Sequence, residues 1–348
     1  MKLPGIGRLP HIGRSISNLF APRAIILLYH RVTELSSDPQ LLCVSRRHFA
    51  EHLEVIRKLS CPTPLRAVGS ARPRRSTRRC RVIVTFDDGY ADNLYNARAL
   101  LERYEVPATV FVATAYIGSE REFWQDELEK IFLQPGTLPE LFRMRINGIS
   151  YEQELGEVAR YREDAYERHC GWNISRRDNP TVRHKLYRFL VTLLQHLPEK
   201  QPQEILTGLL LWARLEPASR RSHRTLSQAE LLELADGGLV EIGSHTVNHP
   251  MLSMLPITAQ RDEIAQSKAR LEEILGKRID SFAYPYGGRS DYDSDAVTAV
   301  REAGFTRACA NYGGPLHSDT DVWQLPRFLV RNWNGDEFGH RLREWLSE

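Results

Sequence analysis

Short apolar runs recur along this chain, each followed by a helix-length stretch of spaced apolar positions. A-I-I-L-L-Y at 24–29 is apolar on both faces and stops at His30-Arg31, the pattern of a fully buried strand. Ser45 then precedes Phe49, Leu53, Ile56 and Leu59, a spacing that predicts a capped helix. V-I-V-T-F at 82–86 is a second strand, with Leu94, Ala97, Leu101 and Tyr104 lining one side of the helix expected after it. Pro107 closes that link, and A-T-V-F-V at 108–112 is a third strand. This order requires parallel pairing through crossover helices.

Residues 120–225 break the rhythm. They open near F-W-Q-D-E-L-E-K-I-F and pass through P-G-T-L-P, and their pattern predicts helices around 157–169, 183–196 and 203–215 with a small hairpin near 142–150. Alternation resumes at Ser227, where S-Q-A-E ahead of two leucines reads as a capping box. Short strands at 240–243, 281–284, 306–309 and 328–330 then alternate with helices from Thr258 and over 293–303, before a terminal helix ending around Trp345. Seven strands mostly separated by helices fit a parallel α/β barrel interrupted after its third strand. A doubly wound open sheet satisfies the same count. The expected division is 24–119 and 226–335 as two parts of the barrel and 120–225 as a mainly helical inserted lobe. Residues 1–23 and 336–348 are terminal extensions.

Composition narrows the classes. The 348 residues are 42% hydrophobic, enough for a sizeable core. No apolar run is long enough for a membrane helix. The N-terminus lacks the continuous apolar centre of a secretory signal. Its Lys2, Arg8 and Arg14 among Leu and Ile suit peripheral contact with an anionic membrane, against which Pro4, Gly5, Gly7 and Pro10 oppose a stable amphipathic helix. Five cysteines, an odd count with no Cys-x-x-Cys, point to a reducing, cytoplasmic setting. The net charge of +3 hides six arginines within 72–81. No nucleic-acid-binding motif accompanies them, so a solvated basic loop is expected rather than a nucleic-acid partner.

The chemistry concentrates at strand ends. Asp87 and Asp88 follow the second strand, and the carboxyl ends of parallel strands are where α/β folds hold their sites. Adjacent residues there point apart, so one acid can face a metal and the other the water beside it. The alternative is an Asp88-Gly89 turn with Asp87 capping the next helix. In E-I-G-S-H-T-V-N-H-P, His245 and His249 lie just past the strand at 240–243, at the same end of the sheet. Two imidazoles and a carboxylate form a ligand set for catalytic zinc with a position left open. In F-A-Y-P-Y-G-G, the Tyr284-Pro285-Tyr286 turn offers aromatic faces for a sugar, or is an ordinary turn with one buried tyrosine.

Together, T-F-D-D-G at 85–89, H-T-V-N-H-P at 245–250 and A-Y-P-Y-G at 283–287 resemble the polysaccharide deacetylase family, the NodB-homology carbohydrate esterases. The resemblance spans residues 25–331 apart from the insertion. Tyr29-His30-Arg31 is similar to an N-terminal element of the biosynthetic poly-N-acetylglucosamine deacetylase branch. The resemblance implies a distorted (β/α)7 barrel and metal-dependent removal of acetyl groups from N-acetylated sugars of a glycan or glycan precursor. It implies Asp87 as catalytic base, Asp88, His245 and His249 as metal ligands, and the Tyr286 backbone N–H as an oxyanion donor. Tyr284, Pro285 and Tyr286 would form one wall of the substrate groove.

Two departures stand out. Ala283 occupies the place of the family's arginine, and Arg327 is the candidate to supply that charge. W-Q-L-P-R-F-L-V at 323–330 lacks the histidine that acts as general acid, leaving His30 and His317 as candidates. Trp124, just after the third strand, either stacks on a sugar ring or anchors the insertion. Zinc is the expected ion, with cobalt, nickel or manganese able to replace it. The basic run suits a lipid-linked or nucleotide-linked substrate, and a membrane surface equally. The rival functions are a metallohydrolase of another amide or ester and a catalytically weak carbohydrate-binding relative.

Overall fold

Strand β1 (Ala24–Tyr29) pairs in parallel with β2 (Arg81–Phe86) along its whole length, from Ala24 opposite Arg81 to Tyr29 opposite Phe86. Helix α1 (Arg46–Leu59) crosses between them, and the Ser45 hydroxyl caps it by accepting from the His48 N–H at 3.1 Å. The computed structural model describes residues 24–69, 80–197 and 201–347. Most of the arginine run at 72–81, and all of 1–23, therefore lie outside the described residues.

After β2 the chain winds first as a π-helix over Asn93–Arg98 and then as α2 (Ala99–Tyr104), where an ordinary helix was expected. Such wider turns often mark functional sites. Strand β3 (Ala108–Val112) completes the first part. The inserted segment holds α3 (Trp124–Phe132), a hairpin of β4 (Leu141–Ile146) and β5 (Ile149–Glu154), then α4 (Glu163–His169), α5 (Val182–Gln195) and α6 (Gln201–Ala213). The hairpin turns on Asn147-Gly148, both at positive φ (49° and 81°), the two-residue loop whose twist matches paired strands.

The barrel resumes with α7 (Gln228–Ala235), where Ser227 and Glu230 form the expected capping box. There follow β6 (Val240–Ser244), α8 (Ile257–Leu275), β7 (Ser281–Ala283), α9 (Ser294–Glu302), β8 (Arg307–Cys309), β9 (Phe328–Leu329) and α10 (Gly335–Trp345).

The main sheet runs β8-β7-β6-β3-β2-β1-β9, with every pair parallel. The strand order advances around the sheet and never reverses. A doubly wound sheet would reverse at a switch point, so this is a curled, open, seven-stranded half-barrel of the distorted (β/α)7 kind. A single parallel bridge, Cys309 to Leu325, crosses between its ends.

Alternation along the strands builds two layers. Ile25, Leu27, Tyr29, Val82, Val84 and Phe86 pack outward beneath the helices, whereas Ala24, Ile26, Ile83, Phe111, Ala283 and Cys309 pack together inside. Phe338 and Leu342 of α10 join the outer layer. A further core around Leu128, Phe132, Phe142, Trp172, Tyr187 and Leu206 lies within the inserted segment. Among the described residues no helix is long and apolar enough to cross a membrane.

Candidate active site

Asp87 continues the inward parity of Ile83 and Thr85, so its carboxylate enters the mouth of the half-barrel. There it meets Arg327, which by register sits level with Ile26 and reaches up from inside. The guanidinium gives Asp87 a bidentate clamp, Nη1 to Oδ1 and Nη2 to Oδ2, each at 2.7 Å. Its Nε donates to the Ala310 carbonyl at 2.7 Å. Burial works to raise the Asp87 pKa, but Arg327 and the neighbouring histidines win and hold it at about 2. This acid is ionised at neutral pH.

Asp88 turns away. Its φ of 76° swings the next carboxylate towards β6, and its Oδ1 is buried with no hydrogen-bond partner. That oxygen lies 3.3 Å from His249 Nε2 and 3.7 Å from His245 Nε2. One ligand atom from each of Asp88, His245 and His249 falls within 4.8 Å of the others, and all three residues are buried.

His245 directly follows β6, and its Nδ1 pairs with the Ala283 carbonyl at 2.7 Å. A carbonyl only accepts, so that nitrogen carries the proton and Nε2 turns a lone pair towards Asp88. Burial lowers the pKa of both histidines, the His245 ring adding to the effect on His249, so both rest as neutral imidazoles. An orphaned acceptor between two neutral imidazoles is a poor hydrogen-bond arrangement and a good cation site. The residues fit a divalent metal ion, and this is a divalent-metal-binding triad.

The surrounding backbone is strained in a telling way. Asp88, Thr246, His249 and Tyr286 are all non-glycine residues with φ between 58° and 76°. Such conformations cost energy and concentrate where function requires them. Tyr286 sets its ring edge-on to His249 at 4.9 Å, and its hydroxyl accepts from the Trp124 indole at 3.2 Å.

The profile of the polysaccharide deacetylase family matches residues 74–148 and 215–308. That match covers just under half of the chain and supports a place in the polysaccharide deacetylase superfamily. The two matched stretches carry the Asp-Asp and His/His elements, and the profile passes over 149–214, within the inserted segment. YxkH of Bacillus subtilis is 26% identical over 142 residues, covering 38% of this chain and 48% of its own. The poly-β-1,6-N-acetyl-D-glucosamine N-deacetylase of Staphylococcus epidermidis is 27% identical over 148 residues, 40% of this chain and 49% of its own. The chain thus spans about half the length of the curated relatives it matches. In structure, the Streptococcus pyogenes deacetylase PplD, solved with acetate, superimposes with a TM-score of 0.56 over 94% of this chain and 99% of its own. At 15% identity that likeness shows the fold.

Against this family frame, the remaining expected residues divide. His30 follows β1 and is half-buried, and Asp87, Arg327 and His245 are among the charges that act on it. Burial pushes its pKa down to about 4. His317 is not at the site. Its neighbour Leu316 bonds to Ala24, the first residue of β1, while the site lies beyond Tyr29, the last. Five strand residues, ~16 Å, separate the two ends, so exposed His317 lies towards the far face.

Tyr284 also leaves the candidate groove. It is fully buried in the outer layer, stacked on Tyr292 at 4.0 Å with its hydroxyl given to the Trp323 carbonyl. Trp124 is 8% exposed, which leaves little ring face for a sugar, and it packs in the core of the inserted segment. Pro285 is buried in the turn between the two tyrosines.

The sequence reading missed one cluster. Tyr90 donates to Asp126 at 2.7 Å, and Arg31 lies over the Tyr90 ring at 4.3 Å while pairing with Asp92. Burial, opposed by Arg31, raises the Asp126 pKa to about 7. The available signal was Asp126, Glu127 and Glu129 on one short helix, at positions the fold buries.

Proposed function

We propose that this chain is a metal-dependent N-deacetylase that removes acetyl groups from N-acetylated sugars of a glycan or glycan precursor. The observation that carries it is an ionised Asp87, clamped by Arg327, set beside the triad, with its Oδ2 3.8 Å from His245 Nε2. Asp88, His245 and His249 would hold the ion. When bound, a divalent metal supplies Lewis-acid polarisation of the acetyl carbonyl and lowers the pKa of a water.

The chain's own groups do the rest. Asp87 takes the proton of the attacking water, and Arg327 fixes both carboxylate oxygens so that the acid neither rotates nor protonates at rest. The Tyr286 backbone N–H has no hydrogen-bond partner among the described residues and is the proposed donor to the developing oxyanion. His30 is the proposed proton carrier to the departing nitrogen. It rests neutral, so the proton it delivers reaches it during turnover.

Zinc is the proposed ion from the two-imidazole, one-carboxylate set, with cobalt, nickel or manganese as substitutes. N-acetylglucosamine is the proposed sugar, supported by the name of the Staphylococcus epidermidis relative. A lipid-linked or nucleotide-linked precursor, processed at a cytoplasmic membrane surface, completes the proposal. The five free thiols suit a reducing compartment. Residues 120–225, read as one lobe, would border the groove through the Trp124–Tyr286 contact.

The test is acetate release from free, nucleotide-linked, lipid-linked and polymeric N-acetylhexosamines with metal added. The wild-type chain releases acetate, and Asp87→Asn lowers kcat by roughly 10²–10⁴ while keeping its metal. Full turnover by that variant would overturn the assignment.

A further inference from the structure

A second concavity lies beside the site. A cleft of about 290 Å³ opens between the start of the helical stretch after β2 and the segment that leaves the insertion, lined in part by Thr33, Tyr95, Asn96, Arg221, Ser222 and Arg224. Ala91 also lines it, and three peptide steps place its Cα at most ~11 Å from that of Asp88. The two walls are bonded to each other: Ala91 N–H donates to the Arg224 carbonyl and Leu226 N–H to the Gly89 carbonyl. Arg31, buried beneath, bonds Asp92 on one wall and the Ser222 carbonyl on the other. The cleft's walls are tied to each other, and it shares its backbone with the loop that carries the two aspartates.

Tyr95 is the unusual feature. It is 58% exposed, yet its hydroxyl is held by Glu230, which Arg224 clamps through two 2.7 Å bonds, and the Arg224 guanidinium lies 5.5 Å from its ring centre. An aromatic ring fixed in advance loses little entropy when a ligand settles on it.

The charges select the ligand class. Arg224 is neutralised by Glu230 and Arg31 by Asp92, so neither is free for an anion. Arg221 is exposed and makes no ion pair among the described residues, which leaves one uncommitted cation. Asn96 gives its N–H to the Val32 carbonyl and Ser222 bonds His223, so one cation, the Thr33 hydroxyl, the Asn96 amide oxygen and a fixed aromatic face remain, a set that suits a neutral polyol better than a phosphate.

The geometry points to a sugar-binding subsite at Tyr95 and Arg221 that holds a neighbouring residue of the glycan while the acetylated unit lies at the triad. The inference rests on the deacetylase reading for its substrate, and it adds a second recognition point outside the reacting centre. Tyr95 presents its ring to the sugar, and Arg221 donates to its hydroxyls. A substrate long enough to reach both places gains affinity, and a single N-acetylated sugar does not.

The experiment compares N-acetylglucosamine with its β-1,4- and β-1,6-linked tetramers, using full-length protein and its Tyr95→Ala, Tyr95→Phe and Arg221→Ala variants. All three substitutions touch exposed side chains outside the base and the metal triad. Tyr95→Ala should raise KM for a tetramer roughly tenfold, the weight of one aromatic contact, with kcat and monosaccharide turnover unchanged. Tyr95→Phe should give a tetramer KM between those of wild type and Tyr95→Ala, because the ring contact stays while the hydroxyl's hold on Glu230 is lost. Tetramer binding by calorimetry, on the same variants with Asp87→Asn added, gives a readout independent of turnover. Weaker binding in Tyr95→Ala would support the subsite even if no acetate were released, a result that sinks the deacetylase reading alone. Equal KM and equal binding for wild type and Tyr95→Ala would overturn the subsite while leaving acetate release intact. Phosphate competing with the tetramer, with loss of that competition in Arg221→Ala, would replace the sugar by an anion and overturn it too.

Discussion

Arg327 gives both ends of its guanidinium to Asp87, while Asp88, one residue on, keeps a buried oxygen without any partner. Strand parity sets the first environment and a left-handed φ sets the second, so two identical side chains meet surroundings suited to the proposed base and the proposed ligand. Because the folded Asp87 value lies near 2, below the ordinary 3.8, the clamp stabilises the fold fully above 3.8 and loses that contribution as pH falls through about 2. Arg327→Met leaves a buried carboxylate uncompensated and should cost about 3–5 kcal/mol at neutral pH by urea denaturation. The difference from wild type should shrink as the titration approaches pH 2. A gap that stays flat with pH would show that Asp87 is not the partner that matters. The need for such a cation followed from the family resemblance, since Ala283 stands where the family has an arginine and Arg327 in L-P-R-F was the candidate to replace it. The displacement of His317 was not, because its distance from the site depends on which end of β1 its loop pairs with, and nothing local to P-L-H-S encodes that.

Elements followed the pattern closely where burial was two-sided or strictly periodic. A-I-I-L-L-Y became β1 without a shift, and the Ser45 and Ser227 caps began their helices where the hydroxyls demanded. Tyr284 shows the limit: its strand was visible, but whether the ring faced the groove or the helices turned on parity against Ala283, which tertiary packing decides. α1 makes a testable joint of its own. His52 on that helix is fully buried, accepts on Nδ1 from the Tyr29 hydroxyl at 3.3 Å, donates from Nε2 to the Trp333 carbonyl at 2.7 Å and stacks on Phe338 of α10 at 4.1 Å. Burial, against the Trp333 bond, lowers its pKa to about 4. The unfolded chain takes up a proton near 6.5 and the folded one only near 4, so stability falls as pH drops through that window. His52→Gln should flatten the pH dependence there by roughly 3 kcal/mol, read as stability against pH for the two proteins. An unchanged slope would place the dependence elsewhere.

Across the whole molecule, the insertion is fastened to itself where its incoming and outgoing chain meet. Arg220, on the outgoing chain, clamps Glu122 on the incoming one, and it also pairs with Glu129 of α3 and the Asp126 carbonyl. Glu122 and Glu129 are both almost fully buried. Arg220→Met should therefore destabilise by about 3–5 kcal/mol and loosen α3, which carries Trp124 to Tyr286. Hydrogen exchange on α3 would report it, and protection equal to wild type would refute the clamp. The sequence announced an insertion by its broken alternation, but not this fastening, since Arg220 and Glu122 are separated by ninety-eight positions. At the barrel mouth the fold brings Asp88, His245 and His249 together beside Asp87. Metal content by mass spectrometry, on protein purified without added chelator and then reloaded with zinc, tests that grouping most directly. One ion per chain is expected for wild type and for Asp87→Asn, with loss in His245→Ala, His249→Ala and Asp88→Ala. Equal metal content in all five proteins would contradict it.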